Sequence, residues 1–211
     1  MDEYKEYLYK RRPHYRELDA GDLSEQKAVR DRLKCKPFRW FMESVAFDLP
    51  KKYPPVEPED FASGEVRSRA DSSLCIDTRF KNENERFNLE PCVSDSPGRS
   101  GEQQFALTWH KDMRANKRNI CWDVSSPDAQ APVLLYNCHG SQGNQLWRYD
   151  PDKEHLIHGG NPRCLDHDPA RRELYVSACD DSSLTQRWTF ERFNRTALLN
   201  WDAVGVNTHD L

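Results

Sequence analysis

The chain has 211 residues, 36% of them hydrophobic and 11% aromatic, with a formal net charge of −4 and a mean hydropathy of −0.95. That length suits one domain, or one domain with an appendage, and the many rings exclude a disordered chain. Residues 1–52 hold a net +3 and the remainder −7. The acidic part excludes a nucleic-acid module, because phosphate affinity comes mostly from Lys and Arg, and no window reaches the roughly 18 apolar residues of a membrane span.

Taken in chain order, the first 48 residues read as helical. "MDEYKEYLYKRR" puts Met1, Tyr4 and Leu8 on one face. "DLSEQKAVRDRLKC" offers Asp22 or Ser24 as N-cap, with Val29 and Leu33 four apart. "KPFRWFMESVAF" adds Phe38, Trp40, Phe41 and Val45. Such short amphipathic helices are too few to bury one another. The run 49–60, "LPKKYPPVEPED", has four prolines and reads as a stiff extended linker, placed at 49–62.

From residue 63 the pattern becomes a repeat. Cys-x-Asp occurs at 75–77, 121–123 and 164–166, and Gln-x-aromatic at 103–105, 145–147 and 186–188. Each unit of about 40 residues runs strand, turn, Cys-x-Asp, excursion, second Cys, loop and Gln-x-Trp/Phe. Strands are expected at apolar runs such as "PVLLYNC" and "ELYVSAC". No segment from 64 to 190 carries a helical period. The expectation is an all-β, three-fold barrel over 63–198, with 199–211 as a tail and Asn194-Arg195-Thr196 as an N-glycosylation candidate.

Six of the seven cysteines fall into pairs 17, 17 and 15 residues apart. Repeat phase pairs Cys75 with Cys92, Cys121 with Cys138 and Cys164 with Cys179, leaving Cys35 odd. A disulfide framework implies an oxidising compartment, yet the charged N-terminus shows no signal peptide. The two agree if the chain is part of something longer.

The triple Cys-x-Asp … Gln-x-Trp repeat resembles a ricin-B-type β-trefoil lectin. "MDEYKEYLYKRRP", "RLKCKPFRWF" and the Pro-rich linker resemble the end of the catalytic domain of polypeptide N-acetylgalactosaminyltransferases. The resemblance implies a parent enzyme of the Golgi lumen, anchored as a type II membrane protein, that begins mucin-type O-glycosylation with Mn²⁺ and UDP-GalNAc. The family's Asp-x-His metal motif occurs nowhere in this chain, so no cofactor and no catalytic residue is expected here. Cys35 would pair with a cysteine upstream, in the catalytic domain. The chain is then a carbohydrate-binding module for GalNAc-bearing glycopeptides. The other readings are an excerpt of an active transferase whose catalytic residues lie upstream, and a non-lectin β-trefoil interaction domain.

A sugar site needs a carboxylate for hydroxyls, an amide that donates and accepts, and an aromatic plane under the C–H face. The resemblance assigns these to the Asp of Cys-x-Asp, the residue two before the second Cys, and the residue before Gln-x-Trp. The second repeat has the complete set, Asp123, Tyr136 and Asn144, with His139 in reach. The first has Asp77 with Glu90 and Glu102, where a second carboxylate is expected to repel the first. The third has Asp166 with Ser177 and Thr185. The structural alternatives are a turn-capping Asp123, a core Tyr136 and a surface His139. Phe105, Trp147 and Trp188 are expected in the core. "HDPARR" (167–172) reads as a solvated turn and "RFKNENERF" (79–87) as a mixed-charge loop.

Overall fold

The computed structural model describes residues 4–54, 57–159 and 162–201. The chain divides into two compact units, residues 1–57 and 58–211. Met1, placed on the first helical face by the sequence, lies outside the described residues.

The first unit holds α1 (Lys5–Arg11), a 3₁₀ turn (Pro13–Glu17), α2 (Ser24–Arg32), α3 (Phe38–Ser44) and α4 (Leu49–Lys52). Neither N-cap candidate takes that position: Leu23 is the N-cap and Ser24 begins the helix, while the Asp22 carboxylate, one residue earlier, accepts the Ser24 amide at 2.9 Å. The rings of Tyr4 and Phe38 meet edge-on at 5.2 Å. Among the described residues of this unit only Ala46 is buried, while Leu8, Val29, Leu33, Trp40 and Phe47 are exposed. The expected extended linker begins with a helical turn instead. Pro50 sits in the first turn of α4, where its fixed φ suits a helix and its missing N–H removes no bond.

The second unit is built of β1 (Ala62–Ser68), β2 (Leu74–Asp77), β3 (Asn88–Pro91), β4 (Phe105–Leu107), β5 (Met113–Ala115), β6 (Ile120–Asp123), β7 (Ala131–Pro132), β8 (Leu134–Asn137), β9 (Trp147–Asp150), β10 (His155–His158), β11 (Arg163–His167), β12 (Leu174–Ser177) and β13 (Trp188–Phe193), then α5 (Arg195–Leu199). One sheet runs β3-β2-β1-β4-β5-β6-β8 with β13 against β1, and the other runs β7-β12-β11-β10-β9. The β1–β13 pairing joins the first repeat to the last, from Ala62 opposite Phe193 to Ser68 opposite Trp188. Its register shifts between Ser63 and Val66. There Gly64 has φ +105°, and a Cβ on it would come 2.4 Å from Cβ of Glu191, so glycine is required.

The pseudo-three-fold repeat is visible in the register. Three hairpins, β2/β3, β6/β8 and β11/β12, set the first cysteine opposite the residue two before the second: Cys75–Glu90, Cys121–Tyr136 and Cys164–Ser177. All three disulfides form as repeat phase pairs them, and Cys35 is free and exposed. Each closes a loop of 15 to 17 residues, which constrains the unfolded chain by about 3 kcal/mol.

The residue between Cys and Asp faces the core. Ile76, Trp122 and Leu165 are fully buried, as are Trp147 and Trp188, with Phe105 at 1%. The indole N–H of Trp147 donates to the Trp122 carbonyl at 3.0 Å, and that of Trp188 to the Leu165 carbonyl at 2.9 Å. Phe105 fills the same phase without a donor. The core also reaches past both expected bounds of the barrel: Phe61 and Trp201 are buried against each other with ring centroids 4.3 Å apart. The tail expected from residue 199 therefore begins inside the core, because an indole gains more by burial than an exposed terminus allows. Residues 202–211 lie outside the described residues.

Candidate functional site

One glutamine per repeat organises the ground beneath each possible site. Gln145 Nε2 donates to the Asp123 carboxylate (3.1 Å) and to the Asn137 carbonyl (3.1 Å), and its Oε1 accepts the His139 amide (3.2 Å). Gln103 makes the same three bonds with Asp77, Pro91 and Val93. Gln186 makes them with Asp166, Ala178 and Asp180. In every repeat the glutamine thus ties the Asp to the residues flanking the second cysteine. These buried amides hold the fold, since an unpaired polar group there would cost about 1–3 kcal/mol.

The three aspartates differ in what else reaches them. Asp77 accepts the backbone amides of Arg79 (2.7 Å) and Glu102 (2.9 Å) as well as Gln103. Asp166 accepts the His167 amide (2.8 Å) and the Ser177 hydroxyl (2.9 Å) as well as Gln186. Asp123, among the described residues, accepts Gln145 alone. One of its oxygens therefore remains for another donor. This residue is not the turn-capping aspartate that the sequence left open; Asp77 comes nearer to that role.

The register puts Tyr136 beside it. Asp123 faces Leu134 across the β6/β8 hairpin and Tyr136 faces Cys121, so Tyr136 is a diagonal neighbour on the same face, within reach of a long side chain. Trp122 and Leu135 take the other face and are fully buried. Tyr136 is 44% exposed, so it is not a core residue, and its ring is available to a ligand. Asn144 has an exposed side chain, while its carbonyl accepts the Val124 amide (2.9 Å) and Nε2–H of buried His158 (2.9 Å). Burial holds the His158 pKa below its ordinary value.

His139 is exposed and its Nδ1 accepts the Ser141 amide at 3.0 Å. In the neutral ring Nε2 then carries the proton and is the donor. The 139–143 loop takes positive φ at Gly140, Gln142 and Gly143. A Cβ at Gly140 would also meet His110 Nδ1 at 3.4 Å. His110, stacked on Trp109 at 3.8 Å, thus backs this loop from the β4–β5 turn. It has no counterpart in the repeat phase, so nothing in the sequence pointed to it.

In the other two repeats the chain's own groups occupy the equivalent ground. Glu102, expected to repel Asp77, is buried and accepts Arg118 Nη1 at 2.5 Å and the Thr78 hydroxyl, and its backbone amide donates to Asp77. Glu90 pairs with Arg79 at 2.8 Å. In the third repeat the sequence found no aromatic, yet half-buried Tyr175 lies opposite Asp166. Burial first, then the Asp166 charge, raises its phenol pKa. Spacing from the second cysteine missed it by two residues.

The three groups of candidate metal ligands among the described residues are Glu65/Cys75/Cys92, Asp112/Cys121/Cys138 and His155/Cys164/Cys179. Each has both sulfurs locked in a disulfide, so they do not fit a Mn²⁺ ion, which prefers oxygen ligands. No helix among the described residues is long and apolar enough to cross a membrane.

Comparison with known proteins gives a consistent assignment. The family model of the ricin-type beta-trefoil lectin domain matches residues 62–188. A putative polypeptide N-acetylgalactosaminyltransferase 10 of Caenorhabditis briggsae is 44% identical over 94% of this chain and 32% of its own length. The human polypeptide N-acetylgalactosaminyltransferase 10 is 43% identical over 94% of the chain and 33% of its own. The chain therefore spans about a third of the relatives it matches. The crystal structure of GalNAc-T7 with UDP, GalNAc and Mn²⁺ is similar with a TM-score of 0.54 at 30% identity, over 92% of this chain and 34% of that one. The agglutinin of Abrus precatorius, at 15% identity and a TM-score of 0.51 over 62% of this chain and 47% of its own, shares the fold.

Proposed function

Because the chain belongs to the ricin-type β-trefoil lectin family, we propose that its second repeat binds the GalNAc of an existing O-glycan on a glycopeptide, as the lectin module of a polypeptide N-acetylgalactosaminyltransferase. The observation that carries this reading is the single hydrogen bond to Asp123, beside exposed Tyr136 and Asn144, where the equivalent aspartates are occupied by their own chain. Asp123 accepts two sugar hydroxyls, the Asn144 amide and His139 Nε2–H donate, and Tyr136 stacks under the C–H face. One monosaccharide held this way binds weakly, at about 1 mM or −4 kcal/mol. Holding one glycan raises the effective concentration of neighbouring acceptor sites at the transferase centre.

In this reading the Mn²⁺ and UDP-GalNAc chemistry belongs to an upstream catalytic domain. That domain covers the exposed apolar side chains of the helical unit and supplies the partner of Cys35. The compartment is the Golgi lumen, where the disulfides persist. Asn194 is exposed and uses Oδ1 to cap α5, accepting the Ala197 amide at 3.0 Å. A glycan would attach at Nδ2, so the cap and the modification are compatible.

NMR titration of the chain with GalNAc-Thr peptide tests the site. Asp123→Asn and Tyr136→Ala are expected to abolish the shifts, since losing one or two charge-assisted bonds worth about 1.5–3 kcal/mol each leaves nothing measurable. Asp77→Asn and Asp166→Asn are expected to retain binding. Loss of binding in either of those, with Asp123→Asn unaffected, moves the site to another repeat.

A further inference from the structure

The three disulfides are alike in register and unlike in surroundings. In each repeat one buried ionisable residue lies beside the bridge: Glu65, Asp112 and His155. The residue two further along pairs directly opposite the first cysteine: Arg67 with Cys75, Arg114 with Cys121 and Ile157 with Cys164. The first two repeats therefore have a carboxylate and an arginine here. Arg67 spans Glu65 (2.9 Å), Ser94 (2.6 Å) and Asp95 (2.8 Å). Arg114 pairs with Asp112 at 2.8 Å. The third repeat has a histidine and an isoleucine instead.

Two features distinguish Cys164–Cys179. A groove of about 430 Å³ reaches this bridge, lined by Cys179 and Ile157 together with Arg148, Lys153 and Asp181; the groove of about 440 Å³ beside Glu65 and Arg67 in the first repeat has neither cysteine among its lining residues. Cys179 is exposed, whereas Cys92 is buried and Cys138 half-buried. Meanwhile Glu65 Oε2 lies 3.7 Å from Cys75 Sγ, where it opposes any thiolate formed on that sulfur. His155 Nδ1 lies 3.5 Å from Cys164 Sγ. A disulfide sulfur has no proton to give, so in this contact Nδ1 is the donor, and as N–H it can donate to a thiolate; Asp181 Oδ1 lies 3.9 Å from the same nitrogen.

We propose that the Cys164–Cys179 bridge is a thiol-exchange site for a low-molecular-weight thiol, entered from the groove at Cys179. The thiolate attacks Cys179 Sγ and forms a mixed disulfide there. The Sγ–Sγ bond breaks, and its electron pair leaves on Cys164 Sγ, which accepts the Nδ1–H hydrogen bond of His155. A second thiolate then attacks the mixed disulfide, so that two thiols are oxidised to one disulfide and the bridge is reduced to two cysteines.

The test uses the full chain with Cys35 alkylated beforehand. Limiting glutathione is added, new thiols are alkylated with a second reagent, and peptides are mapped. Glutathione is expected on Cys179 and the second alkyl group on Cys164, at a rate about tenfold or more above the other two bridges. His155→Leu keeps the volume and removes the N–H, and is expected to slow this bridge about tenfold. The other bridges serve as internal controls, since general unfolding would accelerate all three. Equal rates for all three bridges, glutathione on Cys164, or an unchanged rate in His155→Leu would overturn the proposal.

Discussion

The two units draw on the same alphabet of aromatic and apolar residues and use it in opposite ways. In the helical unit Leu8, Val29, Leu33 and Trp40 lie exposed and only Ala46 is buried among the described residues. In the trefoil Trp122, Trp147 and Trp188 are fully buried around one core. Short helices bury little without a partner surface, whereas a closed three-fold barrel supplies its own. Residue type alone therefore does not tell which aromatics carry stability; the closure of the surrounding backbone does.

Hydrogen exchange offers the largest contrast. Amides of α1, α2 and α3 are expected to exchange through openings of about 0–1 kcal/mol, and those of β6, β8, β11 and β12 only through global unfolding at about 5 kcal/mol or more. Equal protection in both units would remove the distinction. Next in size is a pair of tryptophan truncations followed by chemical denaturation. Trp147→Ala is expected to cost about 3–5 kcal/mol, losing also the bond to the Trp122 carbonyl. Trp40→Ala, at an exposed position, is expected to stay within about 0.5 kcal/mol.

The smallest effect concerns pH and sharpens the comparison within the trefoil. Burial lowers the pKa of His158 and His167 below the ordinary 6.5. The unfolded chain therefore binds their protons first, so their contribution is present above about pH 6.5 and is lost as pH falls toward the folded values. Thermal melts of the trefoil between pH 7.5 and 5 should show a falling Tm, with His158→Gln reducing the slope. A flat profile would show that these rings take up protons as readily when folded.

Much of the trefoil was legible because its signals repeat. Cys-x-Asp and Gln-x-Trp recur at one phase, so strand register, disulfide pairing and the core tryptophans all follow from a single pattern. The second-repeat set of Asp123, Tyr136, His139 and Asn144 came from that same phase, and three of these four present exposed side chains around a buried Asp123. Trp201 and α4 were misread because both fall outside the repeat, where composition was the only guide.

What the amino-acid order determined by itself is the periodic part: three units, three bridges and one aromatic core, since each depends on spacing within about 40 residues. What only the tertiary structure decided is occupancy. Glu102 is quenched by Arg118, Asp166 by Ser177 and Cys164 faces Ile157 where the other two bridges face an arginine, whereas Asp123 keeps a free oxygen. Hydrogen-bond and ion-pair partners are set by distance in space and by the scarcity of donors in a buried place, and neither can be read from the phase of a repeat.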